Sequence, residues 1–137
     1  MSEARLWRCL RDGLRPLRVD MQRHEDKLAV GIPDVSYGAR GVQGWIELKQ
    51  VARWRRDGTI VVPWRPGQRE WLNQRGRMGG RCWLLLRVGR EVCLFRHNML
   101  PEIREPIGYD AATRVLSALS WEQGEDVWGE LLEVLTQ

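Results

Sequence analysis

The first apolar residues of the chain recur at the spacing of a helix. Leu6, Leu10 and Leu14 lie four positions apart, so they would share one face of a helix. Ser2 precedes them, and a serine in this position can accept a hydrogen bond from the free backbone N–H groups of a first helical turn. The pattern predicts an opening helix over residues 3–13.

Beyond this helix the period shortens to two, which is typical of strands with one buried face. Residues 17–22 alternate between apolar and polar side chains and predict a first strand. A glycine-rich stretch at 38–41 separates residues 32–37 from residues 42–49 and suits a turn. We therefore expect residues 42–49 to return as a strand beside the preceding segment.

The middle of the chain predicts one helix between strands. β-Branched residues at 59–62 indicate a short strand, and Pro66 suits the first position of a helix that turns Leu72 inward. Two apolar runs, 82–88 and 91–95, flank a Gly-Arg pair, which is the spacing of a two-residue hairpin turn. We expect these runs to be the closing strands of a sheet.

The composition changes at residue 98, where an acidic stretch punctuated by prolines begins. Residues 111–119 and 121–135 carry apolar side chains at helical intervals. We expect a core over residues 1–97 and an acidic helical extension over 98–137, which packs on this core or on a partner subunit. A chain of 137 residues is long enough for one such core but too short for two full-sized domains.

The net charge of +4 conceals two parts of opposite sign. Residues 1–97 hold 20 Lys and Arg against 10 Asp and Glu, a net charge of +10, whereas residues 98–137 hold 2 against 8, a net charge of −6. The cations of the first part are almost all arginines, whose planar fork of donors suits phosphate oxygens. Because a basic surface also concentrates polyanions, nucleic acid is an expected partner.

The same sequence argues against several other classes of protein. The longest uncharged apolar run, residues 82–86, is too short to cross a bilayer, and arginines interrupt the hydrophobic stretch near the N-terminus. The three cysteines are scattered without metal-binding spacing, so we expect buried reduced thiols. These features predict a cytoplasmic protein with no membrane partner and no small-molecule cofactor.

Two acidic residues and a lysine, Asp34, Glu47 and Lys49, occupy the predicted pair of strands. Glu47 and Lys49 are two positions apart, so their side chains share one face of their strand. If Asp34 lies opposite, two carboxylates and an ammonium converge. Hard cations such as Mg²⁺ are often held by one or two carboxylates together with substrate phosphate. The pattern predicts a Mg²⁺ or Mn²⁺ site with Asp34 and Glu47 as ligands and the Leu48 carbonyl as a further one.

Such a site favours phosphodiester hydrolysis. A bound metal offsets the charge that builds on the phosphate oxygens and lowers the pKa of its water. Lys49 beside it can orient the attacking water or help to deprotonate it. Alternation of Glu and Lys is also common on the solvated face of an ordinary strand, which is the competing interpretation of the same residues.

The two predicted strands also carry a resemblance to the PD-(D/E)XK nuclease superfamily. The matching residues are Ile32-Pro33-Asp34 and Ile46-Glu47-Leu48-Lys49, with 12 residues between Asp34 and Glu47. Further matches to the compact VRR-NUC and Holliday-junction-resolvase-like nucleases of phages and prophages are Gly31, Trp45, Pro66-Gly67-Gln68 and Gly79-Gly80. The resemblance covers about residues 1–96. It implies an α/β (α+β) fold with a restriction-endonuclease-like core, in which helices flank a central mixed β-sheet.

The resemblance implies a Mg²⁺- or Mn²⁺-dependent DNA endonuclease of a bacterial or phage-infected cell, with branched or Holliday-junction DNA among its expected substrates. It also implies a further glutamate near the metal, for which the chain offers Glu3 or Glu25. Glu25 is favoured because it is closer to the catalytic turn, whereas Glu3 is a natural helix-capping charge. Gln68 is a further catalytic candidate, and it is otherwise an ordinary polar residue at the start of a helix.

Arginines near the predicted site are the expected phosphate contacts. Trp54 and Trp64 lie among several of them, where stacking on bases can accompany phosphate contact. The candidate nucleic-acid-binding residues are Arg23, Arg53, Arg55, Arg56, Arg65 and Arg69.

Two other functions remain open: a non-catalytic nucleic-acid-binding protein with the nuclease fold, and a protein-interaction module whose acidic segment binds a partner or masks the basic face. If junctions are cut, two centres related by a two-fold axis are required, so a homodimer is expected. We expect its interface at Trp121 and Trp128 or at a strand edge formed by residues 93–95.

Overall fold

The computed structural model describes residues 2–25 and 30–137. Its helices are α1 (Glu3–Leu14), α2 (Gln68–Arg77) and α3 (Trp128–Leu135). Its strands are β1 (Asp20–Arg23), β2 (Val35–Ala39), β3 (Val42–Val51), β4 (Thr59–Ile60), β5 (Arg81–Val88), β6 (Glu91–Arg96), β7 (Ile107–Gly108) and β8 (Leu119–Glu122). In this described part of the chain, no helix is long and apolar enough to cross a membrane.

Six of these strands form a central mixed sheet in the order β1-β2-β3-β5-β6-β8, while β4 and β7 form a separate two-stranded sheet. Strands β3 and β5 run parallel, and the other neighbours in the central sheet are antiparallel. A parallel pair needs a crossover connection, and the segment containing α2 supplies it. The predicted mixed sheet flanked by helices is confirmed.

The central sheet separates two hydrophobic clusters. Helices α1 and α3 cover one face, where Ile46 and Leu48 of β3 are each 1% exposed. Helix α2 packs on the other face through Leu72, which is fully buried. Because side chains alternate along a strand, Glu47 and Lys49 point to the face that carries α2.

Three predicted elements lie close to their expected positions. The opening helix is α1, and Ser2 Oγ accepts a hydrogen bond from Arg5 N over 3.3 Å, as expected of an N-cap. The strand predicted over residues 42–49 is β3. The turn at Gly89, with a φ of +59°, connects the hairpin strands β5 and β6. Each of these elements follows from a pattern within one short stretch of the sequence: helical spacing, strand alternation or turn residues.

The first strand begins later than the alternating pattern predicts. Residues Arg15–Leu17 form a short 3₁₀ helix, and Leu17 is 37% exposed. Pro16 favours this helical turn because its ring fixes φ near the helical value. Arg18 then adopts a left-handed φ of 62° and ends the turn, so β1 starts only at Asp20.

Helix α2 also begins later than predicted. Gly67 precedes the helix with a left-handed φ of +84°, and Gln68 is the first helical residue. Pro66 therefore lies in the turn before the helix instead of at its first position. The inward orientation predicted for Leu72 is confirmed, since this side chain is fully buried.

The acidic segment 98–137 is not purely helical, so that prediction is wrong for part of it. Residues 119–122 form β8, which pairs with β6 as the sixth strand of the central sheet, and β7 pairs with β4. A π-helical segment, Ala111–Leu116, and α3 are its helical parts. Pairing with a distant strand decides the structure of so short a segment, and local periodicity does not reveal it.

Three acidic residues of this segment form ion pairs with arginines of the preceding part of the chain. The pairs are Arg40–Glu133 at 2.6 Å, Arg69–Glu102 at 3.0 Å and Arg90–Glu122 at 3.1 Å. Exposed pairs of this kind contribute only about 0–1 kcal/mol each. Through these pairs, acidic residues of 98–137 nevertheless neutralise some of the positive charge of residues 1–97 within the same chain.

The surfaces predicted for a dimer interface are largely occupied within the chain. Residues 93–95 are not a free strand edge, because β8 pairs with β6 through Cys93 and Ser120. Trp121 is 8% exposed and belongs to the hydrophobic cluster under α1. The Trp128 ring packs against the backbone of α1 at Gly13. These residues therefore stabilise the monomer.

Candidate active site

The loop before β2 brings Asp34 beside Glu47 of β3. The register of the two strands pairs Val35 with Ile46, so Asp34 comes just before the first paired residue. Asp34 N donates a hydrogen bond to Glu47 Oε1 over 3.1 Å, and Leu48 N donates one to Asp34 Oδ2 over 3.0 Å. Each carboxylate is thus held by a backbone N–H of the opposite segment, which brings both acids to the same point of the sheet.

Glu47 also lies at the centre of a buried polar network. Its Oε2 is 3.4 Å from Lys49 Nζ and accepts a hydrogen bond from Gln68 Nε2 over 2.6 Å. Gln68 Oε1 in turn accepts a hydrogen bond from Arg65 N over 2.9 Å. Glu47, Lys49 and Gln68 are 1%, 3% and 6% exposed. Four of the residues predicted for the site, Asp34 among them, therefore converge.

Burial of this ion pair is not explained by stability alone. Removing a carboxylate and an ammonium from water is unfavourable, and their attraction offsets this only when further hydrogen bonds satisfy both groups. Glu47 has such bonds, from the Gln68 amide and the Asp34 backbone. Apolar residues of similar volume often stabilise a protein as well or better. The buried charged network is therefore a candidate for a functional site.

Two glycines allow the Asp34 loop to approach the start of α2. Gly31 and Gly67 have φ values of +89° and +84°, which favour glycine. A Cβ atom on Gly31 would lie 2.5 Å from the carbonyl oxygen of Gly67, so the contact also excludes any larger side chain at this position. The Gly-x-Pro-Asp and Pro-Gly-Gln motifs, distant in sequence, meet through this contact.

The donor set at the site fits a hard divalent cation. Asp34 and Glu47 offer adjacent carboxylates, and Mg²⁺ is commonly held by one or two carboxylates with water and substrate phosphate. The Leu48 N–H points to Asp34, and the N–H and C=O of a strand residue point in the same direction. The Leu48 carbonyl therefore faces Asp34 as well, as required of a third oxygen ligand.

The structure does not bring the predicted third acidic residue into this group. The Glu25 side chain is 76% exposed and lies 3.9 Å from Arg23, a predicted phosphate contact whose side chain is 29% exposed. Glu3 lies in the first turn of α1, on the other face of the sheet. Within residues 2–25 and 30–137, no three His, Cys, Asp or Glu side chains are arranged to hold a metal ion. Glu25 lies two residues beyond the end of β1 at Arg23, outside the strand pairing that positions Asp34 and Glu47.

Four of the six predicted phosphate-binding arginines lie in the connection between β3 and α2. The loop of residues 52–67 runs from the end of β3 to the start of α2, and so it connects the strand of Glu47 to Gln68. The exposed arginines of this loop are Arg53, Arg55, Arg56 and Arg65.

Three other residues predicted to contact nucleic acid have internal contacts instead. Arg69 Nε donates a hydrogen bond to Pro101 O over 3.0 Å, and the side chain is only 19% exposed. Trp64 Nε1 donates to the same carbonyl over 3.1 Å. The Trp54 ring packs edge-on against Tyr109, with 5.3 Å between ring centroids. These side chains attach the acidic segment to the core, so the predicted phosphate contact of Arg69 is corrected to a structural one.

A polar and aromatic patch beside the carboxylates was not predicted as part of the site. His24 Nε2 and Ser36 Oγ are 2.8 Å apart, and the His24 ring lies 5.4 Å from the Trp45 ring. Ser36 is two residues from Asp34, and Trp45 is two residues from Glu47, so all four face the same side. The alternation of side chains along β2 and β3 is the sequence signal that could have placed Ser36 and Trp45 beside the carboxylates.

Comparisons with known proteins support the fold. No protein-family model matches the chain, and no curated protein matches it in sequence. Its structure is similar to that of Archaeoglobus fulgidus Hjc, a Holliday junction resolvase from an archaeal hyperthermophile, with a TM-score of 0.59 and 17% identity. The similarity covers 80% of this chain and 90% of that chain. The restriction-endonuclease-like fold implied by the PD-(D/E)XK resemblance is thereby confirmed.

Proposed function

We propose that the protein is a divalent-metal-dependent endonuclease that hydrolyses phosphodiester bonds of branched DNA. The observation that carries this proposal is the convergence of Asp34, Glu47 and Lys49 at one point of the sheet. An incidental Glu-x-Lys alternation on a solvated strand would leave both side chains exposed. Here Glu47 and Lys49 are 1% and 3% exposed, and Gln68 hydrogen-bonds to Glu47.

Asp34 and Glu47, with the Leu48 carbonyl, are the proposed ligands of Mg²⁺ or Mn²⁺. When bound, the metal supplies positive charge that offsets the charge growing on the phosphate oxygens during hydrolysis. Gln68 keeps the Glu47 carboxylate in one direction through its 2.6 Å hydrogen bond. Partners of this kind orient metal ligands and strengthen metal binding, so Gln68 is a positioning residue in this proposal.

Lys49 is proposed to orient the attacking water. Its ammonium shares a strand face with Glu47 and has three donors, enough to bond the carboxylate, a water and a phosphate oxygen together. Because the side chain is buried, little conformational freedom is lost when substrate binds. Water and phosphate would therefore meet in a fixed relation to the carboxylates.

The loop over residues 52–67, which connects the strand of Glu47 to Gln68, suits a DNA backbone. The exposed arginines of the loop over residues 52–67 offer planar forks of donors, which bond phosphate oxygens well. A branched substrate is supported by the similar structure, which is a Holliday junction resolvase. A symmetric junction needs a cut on two strands, so we further propose a homodimer with two centres related by a two-fold axis.

A cleavage assay on a panel of substrates tests the proposal. The panel contains a fixed four-way junction, a three-way junction, a flap, linear duplex and single-stranded DNA, and an RNA duplex, each with Mg²⁺, Mn²⁺ or EDTA. We expect cutting of branched DNA with either metal and none with EDTA. If the protein shifts DNA in a gel but cuts none of the substrates with any divalent ion, it is a binding protein that retains the nuclease fold.

A further inference from the structure

Four polar side chains in the described part of the chain are buried, and three of them belong to the candidate active site. Those three are Glu47, Lys49 and Gln68. The fourth is Arg87 of β5, which is 4% exposed. Arg87 is two residues from Leu85, so it points to the opposite face of the sheet, under α1 and α3. Its burial needs an explanation separate from the nuclease site.

Arg87 lines a cavity of about 480 Å³ between α1, the sheet and α3, which we call the Arg87 cavity. Its volume is within the range of pockets that hold small organic ligands. The apolar side chains that line it are Leu6, Leu10, Leu85, Val92, Trp121 and Trp128.

The hydrogen-bond partners of the Arg87 guanidinium are uncharged. Nε donates to the Gly89 carbonyl over 2.8 Å, and Nη2 donates to the Gln123 side-chain oxygen. Among residues 2–25 and 30–137, no carboxylate forms an ion pair with it within 4.0 Å. A buried cation is unfavourable without a counter-ion, so the cavity holds a positive charge that protein carboxylates leave uncompensated.

Burial is the main cause that lowers the pKa of Arg87; Cys9 raises this pKa, and the nearby cations Arg5 and Arg90 lower it. Because the Arg87 guanidinium is buried without a carboxylate partner, it would attract an anion that enters the cavity.

The two acids at the rim of the cavity limit the charge of such an anion. Asp12 Oδ1 is 3.0 Å from Arg11 Nε, and Glu125 Oε1 accepts a hydrogen bond from Glu122 N over 3.2 Å. Both acids thus have partners outside the cavity and leave Arg87 to an incoming ligand. They still repel a ligand with several negative charges, such as a nucleotide polyphosphate or a DNA backbone.

We propose that the Arg87 cavity binds a small organic monocarboxylate with a flat apolar body. The ligand carboxylate pairs with the guanidinium, an arrangement for which the arginine fork is well suited. The apolar body packs against the indole rings of Trp121 and Trp128. Because the cavity is on the face opposite Glu47 and Lys49, the ligand leaves the DNA-cutting site open. This site is independent of the proposed nuclease function.

Cys9 provides a direct probe of charge in the cavity. It is exposed and lines the cavity, whereas Cys82 and Cys93 are buried, so alkylation of the folded protein reports on Cys9. Iodoacetate and iodoacetamide modify the same thiol but differ in charge. We expect the ratio of their rates, iodoacetate over iodoacetamide, to fall about 10-fold in Arg87→Gln.

The control for this ratio is Arg90→Gln, which removes a nearby cation whose side chain is 68% exposed. We expect it to change the ratio little, because solvent screens an exposed charge. A ratio that is the same in wild type and Arg87→Gln would overturn the proposal.

A second measurement on the wild-type protein avoids any substitution, and it decides the matter if Arg87→Gln does not fold. Indole-3-propionate should slow the alkylation of Cys9 by iodoacetamide and raise the melting temperature, since a ligand that binds only the folded state stabilises it. Its neutral amide, which has the same shape, should do neither. Equal effects of the acid and the amide, or no effect of either, would overturn the proposal.

Discussion

Gln68 Nε2 donates a 2.6 Å hydrogen bond to Glu47 Oε2, which joins the start of α2 to the middle of β3. Gln68 Oε1 accepts a hydrogen bond from Arg65 N, so a flipped amide would lose both contacts. An element that carries no acidic ligand thus fixes the direction of one carboxylate oxygen. The candidate site therefore depends on the crossover between β3 and β5 as well as on the strands that carry its acids.

Replacing Gln68 with Ala should slow DNA cleavage by about 10- to 100-fold, the range for lost partners of metal ligands. Glu47 would keep its contacts with Lys49 and Asp34 but lose the donor that orients Oε2. Single-turnover cleavage at increasing Mg²⁺ concentration measures both the rate and the metal dependence. Gln74→Ala, on the exposed side of the same helix, is the control. Equal rates for the two variants would remove the positioning role.

Replacing Gly31 with Ala should impair both stability and cleavage. A Cβ atom at Gly31 would meet the Gly67 carbonyl oxygen at 2.5 Å and push the Asp34 loop away from α2. Gly41→Ala is a matched control, because Gly41 also has a positive φ of +77° but nothing within 4 Å of its added Cβ. Each variant carries a backbone cost of about 1–2 kcal/mol. Urea unfolding and cleavage rates of both variants measure these effects, and the loss in Gly31→Ala beyond that in Gly41→Ala is due to the clash. Unimpaired cleavage by Gly31→Ala would contradict the proposed loop contact.

Replacing Arg55 or Arg56 with Gln should weaken binding to all DNA sequences about equally. Affinity falls as salt increases, and the loss of one phosphate contact makes this fall shallower: the slope of log affinity against log salt decreases in magnitude by about 0.9 on duplex DNA. Titrations at several salt concentrations measure this slope. Arg8, exposed on α1 across the sheet, is the control, and its replacement with Gln should leave the slope nearly unchanged. If Arg8→Gln lowers the slope as much as Arg55→Gln, DNA does not follow the loop over residues 52–67.

The protein should lose stability as the pH rises above 9. Burial raises the pKa of Cys82 from 9.0 to about 11, that of Cys93 from 9.0 to about 12, and that of Tyr37 from 10.0 to about 12. Since the folded state holds these protons more tightly, its advantage is complete below the unfolded-state pKa values. It then declines by about 1.4 kcal/mol per group and pH unit until each folded-state pKa is passed.

Denaturant unfolding at pH 8, 10 and 11 measures this decline. Cys93→Ala should make it shallower, whereas Cys9→Ala, at an exposed position, should leave it unchanged. A stability that stays constant between pH 8 and pH 11 would be inconsistent with three buried neutral groups.

The elements predicted well from the sequence depend on local patterns. The residues of α1 show helical spacing without reference to any other segment, and the residues of β3 likewise show the alternation of a strand. The convergence of Asp34, Glu47 and Lys49 could be predicted because Asp34 directly precedes β2 and the other two residues lie on β3, so the register of this one strand pair brings them together. Gln68 came from its motif, which implied the position but not the bond to Glu47.

The features predicted badly depend on contacts between distant segments. Strand β8 exists because β6 offers an edge to pair with, and its four residues have too short a pattern to show a period. Arg69 resembles a phosphate contact in sequence, but Pro101, 32 residues later, accepts its hydrogen bond. Glu25 is near Asp34 in sequence, yet it lies beyond the end of β1 and its side chain is exposed. Neither the charge of a residue nor its distance along the chain from the site determines where its side chain points.

The most direct test of the central claim is the cleavage rate of a four-way junction by Glu47→Gln with saturating Mg²⁺. We predict a loss of about 10²–10³-fold or more, since the substitution removes the negative charge of a metal ligand and one of its two oxygens. Asp34→Asn should lose as much, and the double variant little more, because residues that act as a unit are not additive. Circular dichroism and thermal unfolding establish that the variants are folded. Cleavage at the wild-type rate by folded Glu47→Gln would contradict the assignment of Asp34 and Glu47 as a catalytic metal site.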